Sequence, residues 1–320
     1  MDEKPVVSAL LITYNQSRFV GQALESILKQ QTSFPIEVLV GDDCSTDETY
    51  DMIAPFVADP RVRMFKRTHN LGATRNLYDL QMHAEGRYIA YLEGDDYWKD
   101  PRKLQRQVEF MESHPAFIGC THRCEIVDEN GDLYGRQRLN WVCRKQVYTL
   151  GDFKGLMLPG HGNALIHRNI FRESRGRYEK IITLNPLVAD RSLILLLASM
   201  GPIFRFSTCM GCYRIVRTGE GKNATALAYS ENDSCVWDDY RYTKALEACA
   251  KEVLGVNGGF EFHKKDLFVS AVYRALRRSD EGNRRVVREI WSEGNQLSYL
   301  AYLPAGFFKK TLSKLLRRYA

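Results

Sequence analysis

Three apolar runs of strand length, Val6–Thr13, Ile36–Gly41 and Tyr88–Leu92, each stop abruptly at polar or acidic residues. A strand that is apolar on both faces belongs inside a parallel sheet covered by helices. The intervening segments supply those helices. Ser17–Gln30 carries Phe19, Val20, Ala23, Leu24, Ile27 and Leu28 at helical spacing. Thr46–Val57 presents Met52, Ile53, Phe56 and Val57, and a helix over 72–84 stops at Gly86. Val62–Lys66 reads as a shorter strand. This alternation predicts an α/β fold with right-handed crossovers. Such sheets gather their ligands at the carboxyl ends of the strands.

Those ends carry the chemistry. The first run closes on Thr13-Tyr14-Asn15, the second on Asp42-Asp43-Cys44-Ser45-Thr46-Asp47, the last on Glu93-Gly94-Asp95-Asp96. Three carboxylates around one glycine repel each other unless a cation sits among them. Oxygen ligands on a short loop suit Mg²⁺, Mn²⁺ or Ca²⁺, and Gly94 lets a ligand come close. A cation there would attract a diphosphate. The plain alternative is an acidic turn capping a helix that begins near Pro101. A dinucleotide-binding fingerprint is excluded, because Thr13–Ser17 holds no glycine; the P-loop pattern is also missing.

Beyond Pro101 the pattern loosens. Pro101–Ser113 reads as a helix. Phe117–Val127 and a stretch from Leu133 flank Asp128-Glu129-Asn130-Gly131, which predicts a hairpin. Asn163–His167, Ile203–Ser207 and Met210–Val216 read as strands, and Asp190–Met200 as a helix stopped by Gly201. Arg217–Asn223 is a polar loop, and the signal is helical from Ser234 onward. A hydrophobic fraction of 44% and a charged fraction of 26% fit a soluble globular protein. No apolar run approaches the ~20 residues of a membrane span. No signal-peptide pattern precedes the first strand, so the eight cysteines are expected to be reduced thiols in the cytoplasm. Cys120/Cys124 and Cys209/Cys212 lack the histidine pair of a zinc site.

The net charge of +6 is uneven, since no acid follows Glu293. Phe308, Leu312, Leu315, Leu316 and Tyr319 share a helical face beside Lys309, Lys310, Lys314, Arg317 and Arg318. Such a basic amphipathic helix either lies on an anionic membrane or packs on the protein's own helices or a twin subunit.

Four pieces occur in order: Ser8–Asn15, Val38–Thr49 with Asp-Asp-x-Ser-Thr-Asp, Asn70–Asn76 with its Arg75-Asn76, and Tyr91–Trp98 with the acidic cluster. Together they resemble the family-two glycosyltransferases of the GT-A fold, strongly to about residue 115 and weakly to about residue 218. The resemblance implies a mixed, mostly parallel sheet flanked by helices over residues 1–223, divided into a nucleotide-sugar half (1–115) and an acceptor half (116–223). A helical C-terminal extension would occupy 224–320. It implies that Thr13, Tyr14, Asn15, Asp42, Asp43, Arg75, Gly94 and Asp95 meet a nucleotide-sugar donor, with UDP the first choice. Glu93, Asp95 and Asp96 would hold a divalent metal, Mn or Mg. The family's usual Asp-x-Asp is here Glu93-Gly94-Asp95, with a longer first arm.

Arg75 would reach the diphosphate or hold the acids. The family's Glu-Asp pair at a late helix start is matched by Ala189-Asp190, so Asp190 is the candidate base; an N-cap is the alternative. Trp98 would wall the sugar or join the core. His161 would line the acceptor site or be a plain loop histidine, and Arg214 and Arg217 would close over phosphates. The implied reaction is an inverting transfer to a hydroxyl of a glycan or lipid-linked glycan in bacterial surface polysaccharide synthesis. No nucleic-acid partner is expected, and the C-terminal helices are candidates for homo-oligomer or membrane contact. A sugar-nucleotide nucleotidyltransferase would need a glycine-rich basic loop after the first strand, which is absent. A non-catalytic nucleotide-sugar or glycan-binding subunit has Ala189 as its support.

Overall fold

The computed structural model describes residues 4–135, 137–174, 176–216, 235–276, 281–293 and 296–306. Its centre is β1 (Val7–Thr13), flanked in parallel by β2 (Ile36–Asp42) and β4 (Tyr88–Glu93), with β3 (Val62–Lys66) outside β2. Helices α1 (Ser17–Leu28), α2 (Thr49–Ile53) and α3 (Ala73–His83) connect them. The side chains of β1 and β2 are almost all buried, as expected for strands covered on both faces. The register sets Thr13 beside Asp42 and Ile12 beside Glu93. The three polar strand ends therefore share one edge.

The second half adds β5 (Tyr97–Trp98), β6 (Gly119–Val127), β7 (Val147–Tyr148), β8 (Ile166–Arg168) and β9 (Ile203–Arg214). The sheet order is β3-β2-β1-β4-β8-β6-β9-β5, with β7 on β9. β8 is antiparallel to both of its neighbours, while β6 and β9 run parallel. The sheet is thus mixed, and most of its register is parallel. Helix α4 (Lys103–Ser113) packs beside β6.

Three expectations change here. The segments expected as two strands, Ile203–Ser207 and Met210–Val216, are one continuous β9. A register shift opposite Thr121–Cys124 absorbs the polar interval between them. The hairpin at Asp128–Gly131 shrinks to a single bridge, Val127 to Leu133, because β6 spends its pairing on β8 and β9. The expected strand Asn163–His167 splits into a short 3₁₀ turn, Gly162–Ala164, and β8. That turn frees the Asn163 side chain for the site described below.

Helix α7 (Asp190–Met200), preceded by the short α5 (Leu150–Phe153) and α6 (Glu179–Ile182), is buried from Arg191 through Ala198. A helix that is apolar nearly all round belongs in the core. Its one buried charge, Arg191, is fully partnered: its guanidinium donates to the Gly155 carbonyl, the Thr243 hydroxyl and the Asp239 carboxylate, the last at 2.6 Å. Asp239 and Thr243 belong to α8 (Cys235–Cys249), followed by α9 (Phe260–Ala275) and α10 (Glu281–Glu293). His263 of α9 holds the other Asp239 oxygen at 3.0 Å. Burial alone would raise the Asp239 pKa, but His263 and Arg191 prevail and lower it. Tyr242, Leu246, Cys249, Ala250 and Phe260 enter the same apolar cluster as α7. Helices α8 and α9 are therefore fused to the α/β body, and α10 packs on them through Val286 and Ile290. No described helix is long and apolar enough to cross a membrane. The basic tail, Phe308 to Tyr319, and Arg217 lie outside the described residues.

Candidate active site

The acidic loop turns immediately after β4. The Gly94 amide donates to the Ile12 carbonyl (2.9 Å) and the Asp96 amide to that of Glu93 (3.0 Å). A Cβ on Gly94 would lie 2.5 Å from Gln16 Oε1 and 2.6 Å from Thr13 Oγ1, which are themselves hydrogen-bonded. The absence of a side chain lets the loop seat against the end of β1. Gly94→Ala is expected to cost about 1–3 kcal/mol of stability through overpacking. Urea denaturation checks this, and an unchanged midpoint would show that Thr13 and Gln16 yield freely.

The cluster is crowded. Burial, then the charges of Asp95 and Asp190, raise the Glu93 pKa well above the carboxylate range. Burial, Asp95 and Glu93 do the same to Asp96, although two hydrogen bonds oppose them. Those bonds come from the Asn163 side-chain amide (2.7 Å) and the Arg214 backbone amide (2.8 Å), one on each oxygen. Asp96 is thereby committed to holding β9 and the Gly162–Ala164 turn. Asp190, at the first turn of α7, is half-buried, and burial pushes its carboxyl up to about 6. Ala189 occupies the N-cap position, and no side chain caps that end. Asp190 lies beside Gly162, close enough for its charge to bear on Glu93.

Sequence comparison agrees with this architecture. The glycosyl transferase family 2 model matches residues 8–175, more than half of the chain. The chain belongs to this family. An uncharacterised glycosyltransferase of Nostoc sp. is 33% identical over 237 residues, covering 71% of this chain and 70% of that protein. The UDP-Glc:alpha-D-GlcNAc-diphosphoundecaprenol beta-1,3-glucosyltransferase WfaP of Escherichia coli is 37% identical over 113 residues, 35% of this chain and 44% of that protein. The chain spans well under half the length of the first curated relatives it matches. Among solved structures, Staphylococcus aureus TarS 1-349 in complex with UDP-GlcNAc aligns with a TM-score of 0.59 at 19% identity, covering 82% of this chain and 70% of that one. That likeness supports the GT-A type fold.

The remaining family positions fall into two groups. The first gathers at the ends of β1 and β2. Asn15 has the left-handed φ of 51°; its amide donates to Ser45 Oγ (3.0 Å) and its side chain pairs with Thr46. Tyr14 beside it is exposed. Asp42 accepts from the Ser45 hydroxyl through Oδ1, while its buried Oδ2 has no hydrogen-bond partner. Asp43 is otherwise engaged. Its two oxygens accept from the amides of Leu71 (2.7 Å) and Gly72 (2.9 Å), at the start of α3. There a carboxylate faces the positive end of the helix dipole. The helix over Thr49–Ile53 is steadied instead by Asp47, whose carboxylate accepts from Thr49 and Ser17.

The second group departs from the expected roles. Arg75 is exposed and pairs with Glu179 at 3.6 Å, not with the acids. Trp98 is buried, donates through Nε1 to the Asn163 carbonyl (2.9 Å) and lies under Lys103 at 4.0 Å; it is a core residue and not a sugar wall. Arg214 is no lid. It is 3% exposed, stacks over Phe19, and donates to the carbonyls of Asp95, Asp128 and Glu129 and to Gln22. It clamps the acidic loop from behind. His161 is buried, stacked on Tyr213 at 4.1 Å, and its Nδ1 is 3.6 Å from Asp96. Burial holds it neutral, with a pKa lowered to about 4. It lines a narrow cleft together with Asp190, Gly162 and Thr121.

Asn163 is the residue the motifs do not announce. It joins Asp96, Trp98, Cys124 and Cys212. Its signal in the sequence is its place in Gly160-His161-Gly162-Asn163. All eight cysteines are free thiols.

Among the described residues no three His, Cys, Asp or Glu side chains converge to hold an ion. Mg²⁺-like ions need less, because they are usually bound by one or two carboxylates together with substrate phosphates. Glu93 and Asp95 fit that partial set: both are oxygen donors, and their crowding favours a cation between them.

Proposed function

We propose that this chain transfers a sugar from a nucleoside diphosphate donor, UDP first, to an acceptor hydroxyl with inversion. The observation that carries this reading is the shared edge. The register pairs Thr13 with Asp42 and Ile12 with Glu93, Asp95 follows in the turn after β4, and the charges of Asp95 and Asp190 both bear on Glu93. The named ligand of TarS, UDP-GlcNAc, and the named donor of WfaP support UDP as the nucleotide. In this reading Thr13, Tyr14 and Asn15 border the nucleotide. Asp42 accepts from the base in preference to Asp43, whose oxygens hold α3.

Glu93 and Asp95 would hold the divalent metal; when bound, it neutralises charge on the departing diphosphate. Asp190 takes the proton of the acceptor hydroxyl. The oxygen forms its bond to the anomeric carbon as the bond to the diphosphate breaks, from the opposite side. The acceptor is a glycan or lipid-linked glycan of a surface polysaccharide, a class supported by the name of WfaP. The protein would work in the cytoplasm, with its basic tail on the membrane or on a partner subunit.

A thermal-shift screen of UDP-, dTDP- and GDP-sugars, with Mn²⁺ and with chelator, tests the donor side. A metal-dependent rise for one nucleotide class is expected. A flat response to every donor would dismiss the reading.

A further inference from the structure

Beside Gly160 and His161 lies a second cavity, of about 380 Å³. Arg123, Arg138, Arg144, Arg205, His122 and His161 line it, and no acidic residue does among the described residues. Among the described residues none of the four arginines has an ion-pair partner; Arg123, Arg138 and Arg144 are exposed and Arg205 is half-buried. Arg205 Nε is buried without a hydrogen-bond partner, and His122, held neutral by burial, donates from Nδ1 to the Arg123 carbonyl. Burial, and next the charges of Arg123 and Arg144, lower the Arg205 pKa. Guanidinium groups stay charged and repel one another; water screens the three exposed heads, and an anion among them would relieve the repulsion on the half-buried Arg205. His161 and Gly160 line both this cavity and the cleft that holds Asp190.

We propose that this cavity is an acceptor subsite that binds a diphosphate carried by the acceptor, beside the cleft that Asp190 lines. Four cations exceed what one carboxylate neutralises, and planar guanidinium forks match phosphate oxygens. The shared wall at Gly160 and His161 sets the cavity next to the cleft that holds Asp190. A sugar bearing phosphate at its reducing end satisfies both sites; a neutral chain end far from its anchor would leave the arginines uncompensated. This rests on the transferase reading and deepens it.

The test uses the full chain and three probes: inorganic phosphate, inorganic pyrophosphate and geranyl diphosphate. Titrations run in chelator, so that the donor site lacks its metal, at low and high salt. Pyrophosphate is expected to bind in a salt-sensitive manner and more tightly than phosphate. The double variant Arg144→Gln/Arg205→Gln should weaken it by about tenfold or more, and Arg123→Gln, an exposed position, should weaken it in the same direction. Geranyl diphosphate binding tighter than pyrophosphate assigns a lipid contribution; equal binding assigns the diphosphate alone. Binding of UDP with Mn²⁺ is followed in each variant as the control. Pyrophosphate binding that the arginine variants leave intact, while UDP binding is retained, overturns this subsite and spares the donor reading. Loss of UDP binding in the wild-type chain overturns the donor reading itself.

Discussion

Asp190→Asn is expected to lower sugar transfer by about 10²–10⁴-fold while donor binding persists. The substitution keeps the size of the side chain and removes its capacity to take a proton. The helix itself has little to lose, since its N-cap position is Ala189 and no side chain caps it. A pH profile separates this role from a structural one. With the carboxyl pushed up to about 6 by burial, wild-type activity should fall on the acid side of about pH 6, as the base becomes protonated. The residual activity of the Asn variant should lose that limb. If the variant turns over at the wild-type rate and only the melting temperature moves, Asp190 is structural and the base lies elsewhere.

Asp95→Asn is expected to reduce transfer by about 10³-fold, the scale of removing a preorganised electrostatic contact from a transition state, and to abolish metal-dependent UDP binding. Glu93→Gln should be milder, because the longer arm holds the ion less firmly. The fold should survive in both. Asp95 is among the charges that raise the pKa of Glu93 and Asp96. Carboxyls whose folded pKa is raised stabilise the fold below their unfolded values and lose that contribution as pH rises through the folded pKa. Near neutral pH the metal-free cluster therefore opposes folding, and deleting one charge should leave the melting temperature unchanged or higher. Full activity of Asp95→Asn in chelator would end the metal assignment. A melting temperature several degrees lower would show that Asp95 holds the loop together.

What the sequence settled is what depends on local pattern. The apolar runs of Val6–Thr13, Ile36–Gly41 and Tyr88–Leu92 are periodic enough to define strands within a residue or two of β1, β2 and β4. Helix α7 was legible to the residue, because Gly201 ends it. The clustering of Thr13, Asp42 and Glu93 on one edge followed from parallel strands alone. The family motifs named the same stretches.

The tertiary structure decided how each polar side chain is engaged, because that depends on partners distant in the chain. Asp42 and Asp43 are adjacent and look equivalent, yet only Asp43 meets the amides of Leu71 and Gly72. Asp96 looks like a third metal ligand until Asn163 and the Arg214 amide, 67 and 118 residues away, take its oxygens. Arg214 resembles a lid residue until the fold buries it beneath the acidic loop. The basic cavity is assembled from β6, β9 and the segment between Gln137 and Arg144. Arginines scattered from 123 to 205 carry no pattern in one dimension. Their mutual repulsion exists only once the sheet has brought them together.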